Sequence, residues 1–409
     1  MTGPVSPTTS PPPRPPLALL IAMVMVGPVS IDIFLPSLPD MTRVFATDVS
    51  HVQLTMSIFI GGFALSQLIL GPLSDRYGRR PVLLTGIILY LIASLASLAA
   101  RSIETLILAR LVQSFGACAG PVLSRAIVRD AYPRDQAART LAMMASVFTI
   151  APAVAPIFGG WLHTLFDWRA NFVVMAVFGV VLFLGVWRWL AETNLHPDRH
   201  ALKLSRMLGT YALLMGRRSF LGYTLTVSFV FAGMFCFVSI GSFVLIDVLG
   251  VRPEHFGFCF ALVIIGLLSG NVITARLGHR FGMARMIGAG VVIGVLSGTI
   301  LGGLALAHIQ TIAAILAPMT GVFLAAGLVL PNATAAAIAP HGRIAGSASA
   351  LLGFIQMAVA AGAGWMVGRL HDGTTLPMAL TIALMLFIGA ASFALLSDRK
   401  GGKRPESIG

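Results

Sequence analysis

Twelve apolar runs, each close to bilayer length, follow one another along this chain of 409 residues. They fall at about 17–39, 53–73, 82–100, 104–125, 139–162, 170–190, 219–247, 256–276, 285–307, 312–338, 347–370 and 376–397. A helix needs roughly 20 mainly apolar residues to cross a hydrocarbon core ~30 Å thick. Backbone inside hydrocarbon must satisfy its own hydrogen bonds, so runs of this length fold as helices. The pattern predicts an all-α membrane protein with twelve transmembrane helices. Composition removes the main alternative. Only 11% of residues are charged and 57% are hydrophobic, whereas a soluble domain is about 25% charged. With a mean hydropathy of +0.89, so few charges cannot cover the surface of a soluble enzyme.

The formal charge of +13 would suggest nucleic acid as a partner of a soluble chain. Here the basic residues, 25 Arg and 3 Lys, lie between the apolar runs rather than on one arm, so no nucleic-acid partner is expected. Their distribution sets orientation instead. With the N-terminus in the cytoplasm, 22 of the 28 fall on cytoplasmic segments or helix ends. Five (Arg43, Arg101, Arg169, Arg252, Arg369) fall outside, and Arg110 lies within a helix. Both termini are therefore expected in the cytoplasm.

The chain divides into a Pro-rich tail over 1–16, a six-helix half over 17–190, a linker over 191–218, a second half over 219–397 and a short tail over 398–409. The first stretch, with no basic n-region or cleavage site, reads as a disordered tail rather than a signal peptide. An echo relates the halves. Leu73-Ser74-Asp75-Arg76-Tyr77-Gly78 follows the second helix, and Leu277-Gly278-His279-Arg280-Phe281-Gly282 follows the eighth, 204 residues later. An even number of helices separates the copies, which predicts a parallel repeat of two pseudo-symmetric halves. His279 stands where the first copy has Asp75, so the second copy is degraded.

Charged groups in the apolar runs are the first candidates for chemistry. Asp32, in the first helix, and Arg110, in the fourth, each carry a charge whose insertion costs about 2.5–3.5 kcal/mol. Counted from Pro39 and Glu104, they lie ~10 Å and ~9 Å deep, so depth makes them candidate partners. Desolvation favours a neutral carboxyl and a nearby Arg favours the charged one, so such a pair can load and release a proton. Gln113, Met234, Phe235 and Gln356 are candidates to line a cavity, the middle two on a seventh helix rich in Phe and Met, surfaces suited to varied apolar ligands. Gln67, Asn271 and Asn332 are further uncharged polar residues in other helices. Gly290, Gly294, Gly298 and Gly302, four residues apart, read as a packing stripe.

The 71–80 stretch, GPLSDRYGRR, combines Gly71, Asp75, Arg76, Gly78, Arg79 and Arg80, with Arg129 and Asp130 ending the fourth helix on the same side. It resembles the loop signature of the major facilitator superfamily. Arg110, Gln113 and Gly116 resemble that family's R-x-x-Q-x-x-G pattern. Pro152, Pro156, Gly159 and Gly160 stand in APAVAPIFGG, which departs from the general antiporter version at Ala155 and is similar to the A-P-x-x-A-P-x-x-G-G variant of the Bcr/CflA drug-resistance exporters. IDIFLPSLPDM at 31–41 and FAGMFCFVSIGSFVLID at 231–247 resemble the same branch. The resemblance implies the twelve-helix major facilitator fold, in a bacterial inner membrane, and export of small drugs in exchange for protons by alternating access. It implies that Asp75, Arg76 and Arg80 stabilise one side of that cycle. A monomer working on a small molecule and protons within the lipid bilayer is expected. An exporter or importer of a metabolite, such as an amino acid, is the alternative.

Other classes are not supported. No nucleophile constellation or carboxylate cluster points to an enzyme. Cys118, Cys236 and Cys259 lack metal spacing, and no phosphate-binding loop of the ATPase type occurs. The expected energy source is the proton gradient, with no cofactor and no metal.

Overall fold

The computed structural model describes residues 13–195, 197–198 and 202–396. The expected disordered tail lies mostly outside these residues, and the 398–409 tail entirely so. The described chain is all helical, with twelve spans long and apolar enough to cross a membrane. In order they are Leu17–Val44, Val49–Tyr77, Arg79–Leu98, Ile103–Ala131, Asp135–Leu165, Arg169–Trp189, Arg218–Val248, Pro253–Phe281, Met283–Leu306, Ile312–Gly342, Ala345–Leu370 and Leu376–Leu396. They are called spans 1 to 12 below. The turn after Gly78 defines the loop face, and the opposite surface is the far face.

Several spans outrun their apolar runs, because a helix continues into the interface where charged residues are solvated. Span 5 starts at Asp135, four residues before the apolar run begins. Span 1 is not one smooth helix. Its first helix ends at Asp32, a 3₁₀ turn covers Leu35–Ser37, and a second helix runs from Leu38 to Val44. Pro36 and Pro39 lack the N–H that would continue the ladder, which places the break just beyond Asp32. The linker contains a helix, Leu204–Met215. The sequence alone reads 191–218 as a polar connection. Twelve residues are too few to span hydrocarbon, but their apolar positions give a surface helix a face to bury.

Small residues set the packing. Gly290 lies against Leu328 and Val329 of span 10, and Gly298 against Leu386 and Ala383 of span 12, so the span 9 stripe is a packing surface. Gly116 lies against the span 3 backbone and Gly120 against the Met23 carbonyl of span 1. Asn332 of span 10 donates to Thr274 of span 8 at 3.2 Å.

The two halves meet along two seams, span 5 with span 8 and span 2 with span 11. A Cβ on Gly160 of span 5 would lie 2.5 Å from the Pro253 carbonyl oxygen, and one on Gly257 of span 8 would lie 2.5 Å from the Ile157 backbone. At the span 2–span 11 seam, Gly364 and Gly368 lie against Gln53, and Gln53 donates hydrogen bonds to Ser57, at 3.0 Å, and across the seam to Ser239 of span 7. This seam stays close as far as Gln67 and Gly353. Toward the loop face, spans 5 and 8 carry few buried residues. Between Asp135 and Ile150 only Thr140 and Met144 are buried, and residues 275–277 of span 8 are exposed. Spans 5 and 8 are in close contact at the far face, and their loop-face ends are largely exposed.

Candidate functional site

Asp32 is the last residue of the first helix and is only 4% exposed. Among the described residues, no hydrogen bond or ion pair reaches its carboxylate. Immediately after it, the Ile33 carbonyl faces Gly159 of span 5, where any Cβ would collide with that oxygen. The neighbouring Gly160 touches Pro253 of span 8. Two adjacent glycines on one helix therefore contact the break beside the acid and the opposite half of the molecule. Pro156 and Pro152 lie within the same helix, one and two turns before Gly159.

Arg110 is fully buried. Its guanidinium donates to Gln113 Oε1 at 2.6 Å and lies over the rings of Phe59, at 4.3 Å, and Phe34, at 5.1 Å. The Met56 sulfur is 3.9 Å away, and Nε has no partner. The aromatic faces offer a buried cation partial compensation for lost water. The expectation that similar depth would pair Asp32 with Arg110 needs correction for this state, since no ion pair joins them among the described residues. Depth equates levels along the membrane normal, but helix rotation decides facing, and the rings of Phe34 and Phe59 hold Arg110 instead.

Gln113 is corrected in the same way. It is fully buried, and its amide donates to Ser94 of span 3 at 2.8 Å and to the Met175 sulfur of span 6 at 3.6 Å. It holds Arg110 within the first half rather than lining open space. Sequence reading missed a neighbouring contact: the hydroxyls of Ser30 and Tyr90 are hydrogen bonded at 2.9 Å, which ties span 1 to span 3 two residues before Asp32. Phe235 is buried, stacked on Phe231 at 6.3 Å between centroids, and set against Gly364 at the junction of spans 2, 7 and 11. Met234 and Gln356 are half-buried.

The loop after span 2 is a connected polar structure. Arg79 is its centre. Its guanidinium reaches Asp75 at 2.5 Å, Ser74 at 2.6 Å and Asp130, at the end of span 4, at 3.0 Å. Arg76 instead lies over the Tyr77 ring at 5.1 Å, and Arg80 donates to the Trp187 carbonyl at 2.8 Å. Arg79, rather than Arg76 or Arg80, makes the ion pairs of this loop in the described state. Asp130 belongs to this network. No ion pair includes Arg129 among the described residues, and at Gly71 a Cβ would meet open space.

Glu192, which sequence reading passed over, accepts hydrogen bonds from the backbone N–H groups of Arg79, Arg80, Thr193 and Asn194 at 2.8–3.0 Å. It caps the start of span 3 with an anion, where free N–H groups and the helix dipole favour one. The Asn194 amide donates to the Ser74 and Asp75 carbonyls. The usable signal was an acid directly after span 6, on the face that holds the arginine-rich loop.

Residues 19–364 match the sequence profile of the Major Facilitator Superfamily. This chain belongs to that superfamily. It is 31% identical over 379 residues to a protein of Haemophilus influenzae named bicyclomycin resistance protein homolog, covering 92% of this chain and 94% of that one. It is 30% identical to Multidrug resistance protein D of Escherichia coli, over 83% and 85% of the two chains. Among solved structures, a bacterial homologue of the human lysosomal transporter Spinster, in an inward-facing and unoccupied conformation, shares the fold at a TM-score of 0.72 and 17% identity. That match covers 93% of this chain and 95% of the other. Membership makes the chain a membrane transporter and not an enzyme.

Proposed function

We propose that this major facilitator transporter exports small drugs from the cytoplasm of a bacterium in exchange for protons. It works as a monomer in the inner membrane. The observation that carries the proton part is Asp32, a carboxylate buried within a membrane span with no partner among the described residues. An isolated charge in that setting is costly, and accepting a proton removes the cost. The drug part rests on relatives whose names specify bicyclomycin and multidrug resistance.

The loop face is read as cytoplasmic, because 22 of 28 Lys and Arg then fall on that side. On this reading the state described is open to the cytoplasm and closed outside. Drug enters between spans 5 and 8, against a cavity wall that includes Met234 and Gln356, with Phe235 packed behind it. Opening to the outside must separate Gly160 from Pro253 and break the Gln53–Ser239 hydrogen bond. Because Gly159 bears on the Ile33 carbonyl, movement of span 5 is felt at the break next to Asp32. That contact couples access to the protonation of the acid. Arg110 biases the carboxylate toward its charged form when span 1 moves. The loop network holds the first half rigid on the cytoplasmic side.

A susceptibility panel in an efflux-deficient host tests this reading. Cells carrying wild type or Asp32→Asn at matched membrane levels are challenged with bicyclomycin, amphenicols, sulfonamides and lipophilic cations. Wild type is expected to protect against at least one class and the variant to lose that protection. Protection that survives the substitution removes Asp32 from the mechanism. No protection by wild type in any class removes drugs as the cargo.

A further inference from the structure

Beside the loop, spans 2, 3 and 4 enclose a groove of about 400 Å³ that is open along one side. Its wall is almost wholly apolar and includes Ser66, Ile69 and Tyr77 of span 2, Thr85 and Leu89 of span 3 and Phe115 of span 4. Ile69 and Tyr77 are about half exposed. From Ser66 to Tyr77 the groove runs ~16 Å at the helix rise. One leaflet of a bilayer has ~15 Å of hydrocarbon, so the groove is as deep as a single leaflet.

The chemistry changes at the loop-face end. The Arg76 guanidinium sits 5.1 Å from the Tyr77 ring that lines the mouth. No acid pairs with Arg76 among the described residues, because its neighbour Asp75 is taken by Arg79 at 2.5 Å. Arg80, adjacent to the lining residue Pro81, instead donates to the Trp187 carbonyl of span 6, away from the groove. Arg76, with five N–H donors and no acid partner among the described residues, is the cation at the mouth. An apolar channel one leaflet deep with an unpaired cation at its mouth fits an amphiphile with a long chain and a negative head. A small neutral drug would leave Arg76 without a partner.

We propose that this groove binds one anionic phospholipid, its acyl chain along spans 2 and 3 and its phosphate at Arg76. Assigning it to the cytoplasmic leaflet rests on the orientation proposed above; binding itself does not.

The test is native mass spectrometry of the full-length chain, released from mild detergent with equal phosphatidylglycerol and phosphatidylethanolamine of identical acyl chains. Wild type is expected to keep one phosphatidylglycerol with at least fivefold preference. Arg76→Gln is expected to abolish the preference and Arg76→Lys to retain most of it. Leu89→Trp, which fills the groove, is expected to remove the adduct; an unchanged melting midpoint establishes that this variant is folded. Equal retention of both lipids by wild type overturns the proposal, as does an adduct insensitive to Arg76→Gln. Displacement of the adduct by excess amphenicol also overturns it, making the groove a drug path. Sidedness of a cysteine label in the loop tests the orientation separately, so failure of one idea is distinguishable from failure of the other.

Discussion

Gly78 and Gly282 close spans 2 and 8 with φ of +98° and +80°. Each donates its N–H four residues back, to Ser74 at 3.1 Å and to Gly278 at 2.9 Å. In each copy the arginine before the aromatic residue lies over that ring, Arg76 over Tyr77 and Arg280 over Phe281, at 5.1 and 5.8 Å. The backbone and this one stacking contact are thus repeated across 204 residues. The polar chemistry is not. The first copy has Asp75, Arg79 and, at the end of span 4, Asp130. The corresponding positions 204 residues on are His279, Met283 and Thr334. Gly78 lies against the Glu192 carboxylate, while a Cβ on Gly282 would meet nothing within 4 Å. One turn geometry can therefore serve as a fixed polar junction in one half and as a plain exposed connection in the other. Side chains, not the fold, make the difference.

The comparison is broken most strongly at its centre. Arg79→Ala strands Asp75 and Asp130. With those side chains 46% and 26% exposed, the cost should be about 2 kcal/mol, below the ~3–5 of a fully buried pair. Transport at matched protein level is expected to fall at least tenfold, while Met283→Ala changes it less than twofold. Equal losses at the two positions would mean that the halves use their loops alike.

Glu192→Ala should come next. Loss of an anionic cap typically costs ~1–2 kcal/mol, so the melting midpoint in detergent should drop measurably. The glycine turns sharpen the contrast. Gly78→Ala and Gly282→Ala both force a side chain into a positive-φ region essentially reserved for glycine, at ~1–3 kcal/mol. Only the first also places a Cβ 2.5 Å from Glu192. Gly78→Ala should therefore be the more damaging, and Gly78→Ala combined with Glu192→Ala should cost less than the sum of the two. Additive losses in this double-mutant cycle would sink the contact.

The twelve spans were legible because length and hydropathy alone define a membrane helix, and the repeat was legible because glycine is demanded where φ is positive. The acid and the arginine within the membrane were also visible, as charges in apolar runs. Their partners were not. Whether Arg110 meets Asp32 or the rings of Phe34 and Phe59 depends on the rotation of three helices, which periodicity does not encode. Arg76, Arg79 and Arg80 are chemically alike, and only the turn at Gly78 aims Arg79 back at Asp75. Glu192 contacts that turn from 113 residues away in sequence, a pairing that needs the folded chain. The helix Leu204–Met215 escaped notice because it is amphipathic and too short to register as a span.

The smallest effect is expected from building the missing pair into the second copy. His279→Asp with Met283→Arg recreates the charge pattern at an exposed turn, where an ion pair contributes at most ~1 kcal/mol. Stability and transport should barely change. A large gain in stability would mean that charge pattern alone, without Asp130 and Glu192, suffices to make the junction.

The central claim is that Asp32 exchanges the coupled proton, and proteoliposomes with a trapped pH dye test it most directly. Transporter is reconstituted with an imposed drug gradient and no initial pH gradient, and drug-driven proton movement is recorded. Wild type is expected to move protons against the direction of drug flow, while Asp32→Asn moves none and still binds drug. Proton movement undiminished in Asp32→Asn would contradict the account.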